Sequence, residues 1–477
     1  MRRQVSPLPL LLLSAAACSL QVPKPTACAT NVECRDAFGQ GSVCGDAGFC
    51  ETAALPERCV DSSPDALVLP LDPATTHLIA TQFDHQLESH VARYRAVELA
   101  VSQANDNAGL EGVNFAVLHC SNEEDFNGDG LTKDEAAVEL GVWLADSLGV
   151  AATVGPASSG RVEAVYEATK GAGMLTISPS ATSPALTALD GLSATDSEPG
   201  LLWRTAPPDS LQGAVMAADL LERGVRTASV IYEVGAYGEG LDEVFTIAFE
   251  AGGGEATSYP YTGEDFGGAT ADALTSGPEE VLFISSDVAD LTGFLDAAGV
   301  LGGYASLGLF LPDTARTSDL LNNVNEDAQA LFPNVRGTGP SVPAGTVYDA
   351  FKASYVAAWQ DDASAYSYTA HAYDAAWMLI YGFAWAEYQE DGLASGLTLA
   401  RGLRKLSAPG VPAEDQVPVR PSSWNEVKAS FSDGAAVNLL GASGQLDYDP
   451  VTEETTGPID VWVIEGGEFV VEEVVEP

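Results

Sequence analysis

From residue 76 onward the chain alternates short apolar runs with longer amphipathic stretches, and this alternation restricts the possible folds more than any other feature. HLIATQF leads into HVARYRAVELAVSQAN, NFAVLH into TKDEAAVELGVWLADSLG, VAATVGP into SGRVEAVYEATKGAG, and MLTISP closes the series. A second series starts at Ala228 with ASVIYE and GLDEVFTIAFEAGG, followed by EVLFISS, VADLTGFLDAAGV and LGLFLPD. Strand-length apolar runs separated by helix-length amphipathic segments predict parallel, doubly wound α/β sheets. With 477 residues the chain exceeds what one hydrophobic core holds, so two Rossmann-like lobes are expected. Residues 348–355 (YDAFKASY) and 373–381 (YDAAWMLIY) have helical apolar spacing, and GQLDYDPVTEETTGPIDVWVIEGGEFV reads as late strands. These segments are too few for a third domain and are expected to rejoin the two lobes, so that the chain crosses between them more than once.

The first seventeen residues have a separate purpose. Arg2 and Arg3 precede the apolar run LPLLLL, and small residues then lead to Cys18. This is the pattern of an export signal, too short to remain as a membrane span. Small residues immediately before a cysteine resemble a bacterial lipobox, which makes Cys18 the expected lipidated first residue of the mature protein, with a plain cleaved signal as the alternative. No transmembrane segment is expected after it. Export makes disulfides the default for the other six cysteines. Cys28, Cys34, Cys44 and Cys50 lie in a Gly-rich segment of low hydrophobicity that needs staples to fold, and the absence of CxxC pairs and nearby histidines argues against zinc. Two bridges within that segment leave Cys59 and Cys120 as a third pair, with connectivity open.

Lys and Arg total 21 against 68 Asp and Glu, a formal net charge of −47. Such a field repels nucleic acid and anionic lipid, so neither is an expected partner. The stretch DFNGDGLTKDE looks at first like a calcium loop: Asp125, Asn127 and Asp129 suit the first three ligand positions, Gly130 the sharp turn and Leu131 a backbone carbonyl. Its twelfth position is Ala136 rather than Glu, and Thr132 with Glu135 forms a capping box for the helix that follows. The expected role is a brace on the rim of the first lobe, with weak or structural calcium at most; no cofactor is required.

Six segments together resemble the type I periplasmic solute-binding proteins, in particular the leucine/isoleucine/valine-binding group. They are AVELAVSQAND, TVGPASSG, LTISPSATSPALT, LWRTAPPDSLQG, AYGEGL and GASGQLDYD, in that order, within residues 76–474. The resemblance implies two lobes joined by three crossovers, the first lobe from residues 76–205 and 338–440, the second from 206–337 and 441–474; the signal (1–17) and the lipid-anchored Cys-rich segment and linker (18–62) lie outside the match. It also implies a solute held in the cleft. Ser159 would give a hydroxyl to the solute's carboxylate, Ser180 its backbone, and Thr182 its hydroxyl and amide. Tyr237 would cover the solute, Asp313 would face its α-ammonium, and Ser286 would line the pocket. Independently, hydroxyls beside exposed amides at helix starts form an anion site without any formal positive charge. Ser158 and Ser159 precede a helical segment, and Ser183-Pro184 has the sequence of a cap followed by a first-turn proline. In the first loop, Ser89 and His90 stand where the family carries an aromatic-Gly pair, so the side-chain end of the pocket departs from the family pattern.

None of the five histidines lies in HExxH, and neither a GxSxG elbow nor a GxxxxGK[ST] loop occurs. The expectation is therefore a non-enzymatic lipoprotein of the cell envelope, on the periplasmic or outer-membrane face. It would capture an amino acid or related carboxylate for an ABC permease, the alternative being an anchored sensory or scavenging receptor of the same fold.

Overall fold

The computed structural model describes residues 26–59, 61–65, 67–263, 265–341, 344–407 and 415–476. The signal, Cys18 and its expected lipidation lie outside the described residues. Among those residues no helix is long and apolar enough to cross a membrane.

Two sheets carry the molecule. In the first, the strands run in the spatial order Asp61–Ser63, Asn114–Ser121, Thr76–Phe83, Ala152–Val154, Leu175–Ser178 and Leu202–Arg204. All neighbours are parallel except the short edge strand Asp61–Ser63, which pairs antiparallel with Asn114–Ser121. In the second the order is Glu255–Tyr261, Thr227–Glu233, Glu280–Ile284, Gly308–Leu311, Val335–Pro340, Ile459–Glu465 and Glu468–Val475. The first five are parallel and the last two antiparallel. Each parallel series places its first strand between the second and the third, so each sheet has a switch point where successive connections leave in opposite directions, and a crevice opens there beyond the strand ends.

The chain crosses between the sheets three times. After Leu202–Arg204 it passes through Pro207-Pro208 into the helix Asp209–Glu222, which packs in the second lobe against Ala236–Ala251. After Val335–Pro340 it returns to the first lobe as Thr346–Trp359 and Thr369–Gln389. The latter helix is buried on every side from Thr369 to Ala386, which is why its sequence is apolar all round rather than striped. Asp374, a polar residue within it, accepts from the Ala442 and Ser443 amides and from the Ser443 hydroxyl, and so pins the segment GASGQLDYD. Burial outweighs those donors and raises the Asp374 pKa to about 6.

This anchor moves one boundary. Residues from 441 were expected in the second lobe, yet Ala442, Leu446 and Tyr448 are buried in the first lobe's core, and the final crossing comes just before Ile459–Glu465. The second boundary also shifts slightly, since residues 338–340 complete a strand of the second sheet.

The Cys-rich segment forms a small unit closed by interleaved disulfides, Cys28–Cys44 and Cys34–Cys50. Cys59–Cys120 ties the linker to the strand Asn114–Ser121, which lies next to the short edge strand of the first sheet. It closes a loop of 61 residues in sequence separation; chain-entropy bookkeeping for such a loop gives about 4 kcal/mol. Replacing both cysteines by alanine should therefore lower unfolding stability by about 2–4 kcal/mol in a denaturant titration, while far-UV circular dichroism stays native.

Candidate functional site

Between the lobes, where the two switch points face each other, lies a cavity of about 550 Å3, counting the part open to solvent. From the first lobe it is lined by the loops after Thr76–Phe83 (Leu87, Ser89, His90), after Ala152–Val154 (Ala157, Ser158, Ser159) and after Leu175–Ser178 (Ser180). From the second it is lined by Tyr237 after Thr227–Glu233, Ser286 after Glu280–Ile284 and Asp313 after Gly308–Leu311. The loop at Gly155 needs its glycine: φ is +95°, and a Cβ there would stand 2.5 Å from the Gln82 carbonyl oxygen.

Ser159 is the first residue of the helix Ser159–Thr169, with Ser158 extended at the cap position. The Ser159 Oγ accepts from the Thr182 amide at 3.2 Å and the Ser183 amide at 3.1 Å, leaving its own hydrogen to donate. Thr182 supports the site from behind in this way: it is buried and does not line the cavity, contrary to the direct hydroxyl contact expected of it. Ser180 contributes a side chain rather than mainly its backbone, its Oγ accepting from Arg93 and donating to the Ala157 carbonyl. Ser183 caps the short helix Pro184–Ala188 as its sequence predicts, and its hydroxyl also donates across the cleft to the Ala236 carbonyl at 2.5 Å.

Asp313 is the polar hub of the opposite wall. Its Oδ1 accepts from Gln212 Nε2 at 2.9 Å and the Tyr237 hydroxyl at 2.5 Å, and its Oδ2 accepts from the Tyr368 hydroxyl. A carboxylate offers about four lone-pair directions, so one on Oδ2 stays open for a further donor. Gln212 lies in the first crossover helix, and Tyr368 opens a helix of the first lobe, so one carboxylate gathers three separated segments.

Sequence reasoning missed the cations. Arg93 and Arg161 both line the cavity, so the anion site is not free of formal charge as expected. Arg161 pairs with Asp134 at 2.9 Å. Arg93 lies buried over the Tyr368 ring, its centre 5.2 Å from the ring centroid. The signal was available in the first loop, where an arginine follows His90 by three residues and so shares its helical face. Lys133 was missed too: its Nζ reaches Asp287 of the second lobe at 2.7 Å and Asp84 of the first at 3.5 Å, bridging the cleft mouth. His90 lines the cavity and accepts the Asp84 amide on Nδ1, whereas His85 packs at a tilt against Tyr94 outside it. Burial, and then Arg93, push the His90 imidazole well below its ordinary pKa, so it is neutral at pH 7.

The acidic loop does not fit the calcium site considered for Asp125, Asn127, Asp129 and Leu131. Both oxygens of Asp129 accept from Arg58, at 2.8 Å each, and the Leu131 carbonyl accepts the Asp125 amide. Asp125 Oδ1 accepts the Gly130 amide, and the Thr132–Glu135 capping box is fully formed. The physical reason is the neighbouring disulfide: Cys59–Cys120 holds Arg58 against the Ser121 and Glu123 carbonyls and under the loop, so the chain supplies its own cation.

The family profile described as "Receptor family ligand binding region" matches residues 92–430, well over half of the chain. The chain belongs to that family. Its fold is that of the type I periplasmic binding proteins. The leucine-binding protein LivK of Thermotoga maritima superposes with a TM-score of 0.64 at 17% identity, over 84% of this chain and 99% of that one. LivJ of Streptococcus pneumoniae, solved with isoleucine, gives 0.61 at 19% identity over 84% and 100%. A solute-binding protein of R. palustris, solved with benzoate, gives 0.60 at 17% identity over 84% and 97%. In sequence, the chain is 34% identical over 197 residues to the chemotactic signal transduction system substrate-binding protein BasB of Halobacterium salinarum. That match covers 40% of this chain and 44% of BasB, so the chain spans less than half of that relative.

Behind the cavity Asp209 is fully buried, with no hydrogen bond of normal geometry to either oxygen among the described residues. Desolvation, reinforced by Asp313 and only partly offset by Thr182 and Arg204, raises its pKa well above the usual carboxylate value. The folded state thus keeps a proton that the unfolded state releases near pH 4, so this group's contribution to stability falls as pH rises from there. Asp209→Asn should raise the thermal midpoint at pH 7 and flatten the decline in stability above pH 4, read from melting curves at a series of pH values.

Proposed function

We propose that this protein captures a small carboxylate-bearing solute, an amino acid or a related acid, between its two lobes outside the cytoplasm, and passes it to an ABC-type permease. One observation carries the reading: the hydroxyl-bearing start of the helix Ser159–Thr169 and the Asp313 carboxylate face the same cavity from opposite lobes. An anion is favoured at exposed helix-start amides, and a cationic donor at the open position of Asp313, so a zwitterion satisfies both walls at once. Binding in the crevice at a switch point is also where open α/β sheets generally hold ligands. The printed ligands of the structural neighbours, isoleucine and benzoate, share the carboxylate. Cys18 is the proposed lipid anchor at the cell envelope.

BasB favours a second reading, in which closure is read by a chemotaxis partner rather than by a permease. The cleft chemistry is common to both.

A thermal-shift screen of amino acids, aromatic acids, sugars and peptides tests the capture step. At a hundred dissociation constants a bound solute stabilises the fold by about 2.7 kcal/mol. The expected result is a raised midpoint with at least one carboxylate-bearing compound, cut by Ser159→Ala and by Asp313→Asn. Midpoint gains confined to sugars, or hits indifferent to both substitutions, would sink the assignment.

A further inference from the structure

The cavity's polar lining and one guanidinium without a direct ion pair say more about the solute. Leu87, Ala157 and Val288 are the only aliphatic side chains among the described residues that line it; the rest are hydroxyls, phenols, one imidazole, one acid and two guanidiniums. An aliphatic side chain would strip water from those groups without replacing their hydrogen bonds. Of the two guanidiniums, Arg161 has Asp134, but Arg93 is only 7% exposed and forms no ion pair among the described residues. Its hydrogen bonds go to neutral oxygens, from Nη1 to Ser180 Oγ at 3.2 Å and from Nε to the Ser367 carbonyl at 3.3 Å. Buried guanidiniums are otherwise paired, because an uncompensated charge away from water is costly, whereas the Asp313 and Asp319 carboxylates act on Arg93 only from beyond ion-pair distance. A guanidinium has five donors in a planar fork, so Arg93 retains N–H groups for a partner arriving in the cavity.

We infer that Arg93 is a specificity-determining residue that receives a second carboxylate, so that the solute is an amino acid whose side chain itself ends in an acid. This rests on the solute-binding reading above and assigns the three charges of such a solute. The α-carboxylate goes to Ser158 and Ser159, the ammonium to Asp313, and the side-chain carboxylate to Arg93, whose fork is held over the Tyr368 ring. The cleft, not the surface, then selects for negative charge in a chain with a net charge of −47, since a buried guanidinium is screened less than exposed acids are.

Titration calorimetry of the purified protein with L-glutamate, L-aspartate, L-glutamine, L-leucine and benzoate provides the test. Glutamine has the shape of glutamate without its charge. The expected result is that glutamate or aspartate binds tighter than glutamine by roughly 10- to 150-fold, the factor carried by one charged hydrogen bond, and that Arg93→Gln levels the two affinities while Arg93→Lys keeps part of the gap. Tighter binding of leucine, benzoate or glutamine than of either acid overturns the inference and leaves the solute-binding reading standing. Silence from all five overturns the inference, and the wider thermal-shift screen then decides the solute-binding reading separately. If Arg93→Gln does not fold, the wild-type ratio of glutamate to glutamine decides alone.

Discussion

The closed arrangement depends on the buried carboxylate of Asp313. A carboxylate away from water must be hydrogen-bonded, and this one draws its donors from Gln212 in the first crossover helix, Tyr237 in the second lobe and Tyr368 in the first. Satisfying one acid therefore fixes where two lobes meet. Asp313, Tyr237 and Tyr368 also line the cavity, so three of the groups that bring the lobes together face the space between them. Lys133 to Asp287 and the Ser183 hydroxyl to Ala236 add further bonds across the cleft mouth, and all of them would have to break for the lobes to open.

The cavity assembles charge in a chain that has little positive charge to use. Arg93, Arg161 and Lys133 are three of only 21 basic residues, and all three lie at the cleft. Each is set against a different surrounding: Arg161 and Lys133 against acids, Arg93 against hydroxyl, carbonyl and ring. Neutral donors complete the set, since Ser159 is oriented by two amides and His90 is kept uncharged by burial and by Arg93. The overall field, in contrast, is a property of the solvated surface and acts on solubility and partner choice.

Outside the cleft, Cys59–Cys120 accounts for two features at once. It staples the linker to the strand Asn114–Ser121 of the first sheet, and it carries Arg58 under the acidic loop, where the guanidinium takes the Asp129 carboxylate. The loop in turn ends at Thr132, whose capping box starts the helix that presents Lys133 to the cleft mouth. A motif that resembles a calcium loop in sequence thus serves as a brace for an interlobe contact.

The two doubly wound sheets are legible in the primary structure, because the alternation of apolar runs and amphipathic segments is local and each element's period is written in its own residues. The caps at Thr132 and Ser183 follow from spacing alone, whereas Ser159, Ser180, Tyr237, Ser286 and Asp313 were expected in one cleft only through the family resemblance, and they line one cavity. The other features arise from contacts between segments far apart in the chain. Arg93 reads in sequence as one more helix arginine, and its meaning depends on Ser180, Ser367 and Tyr368, all distant in the chain. Disulfide partners, the capture of Asp129 by Arg58 and the return of residues 442–448 to the first core through Asp374 are likewise pairings between distant segments. Local periodicity records which face of an element is buried, but which groups meet across that face is fixed only when the chain closes its long loops.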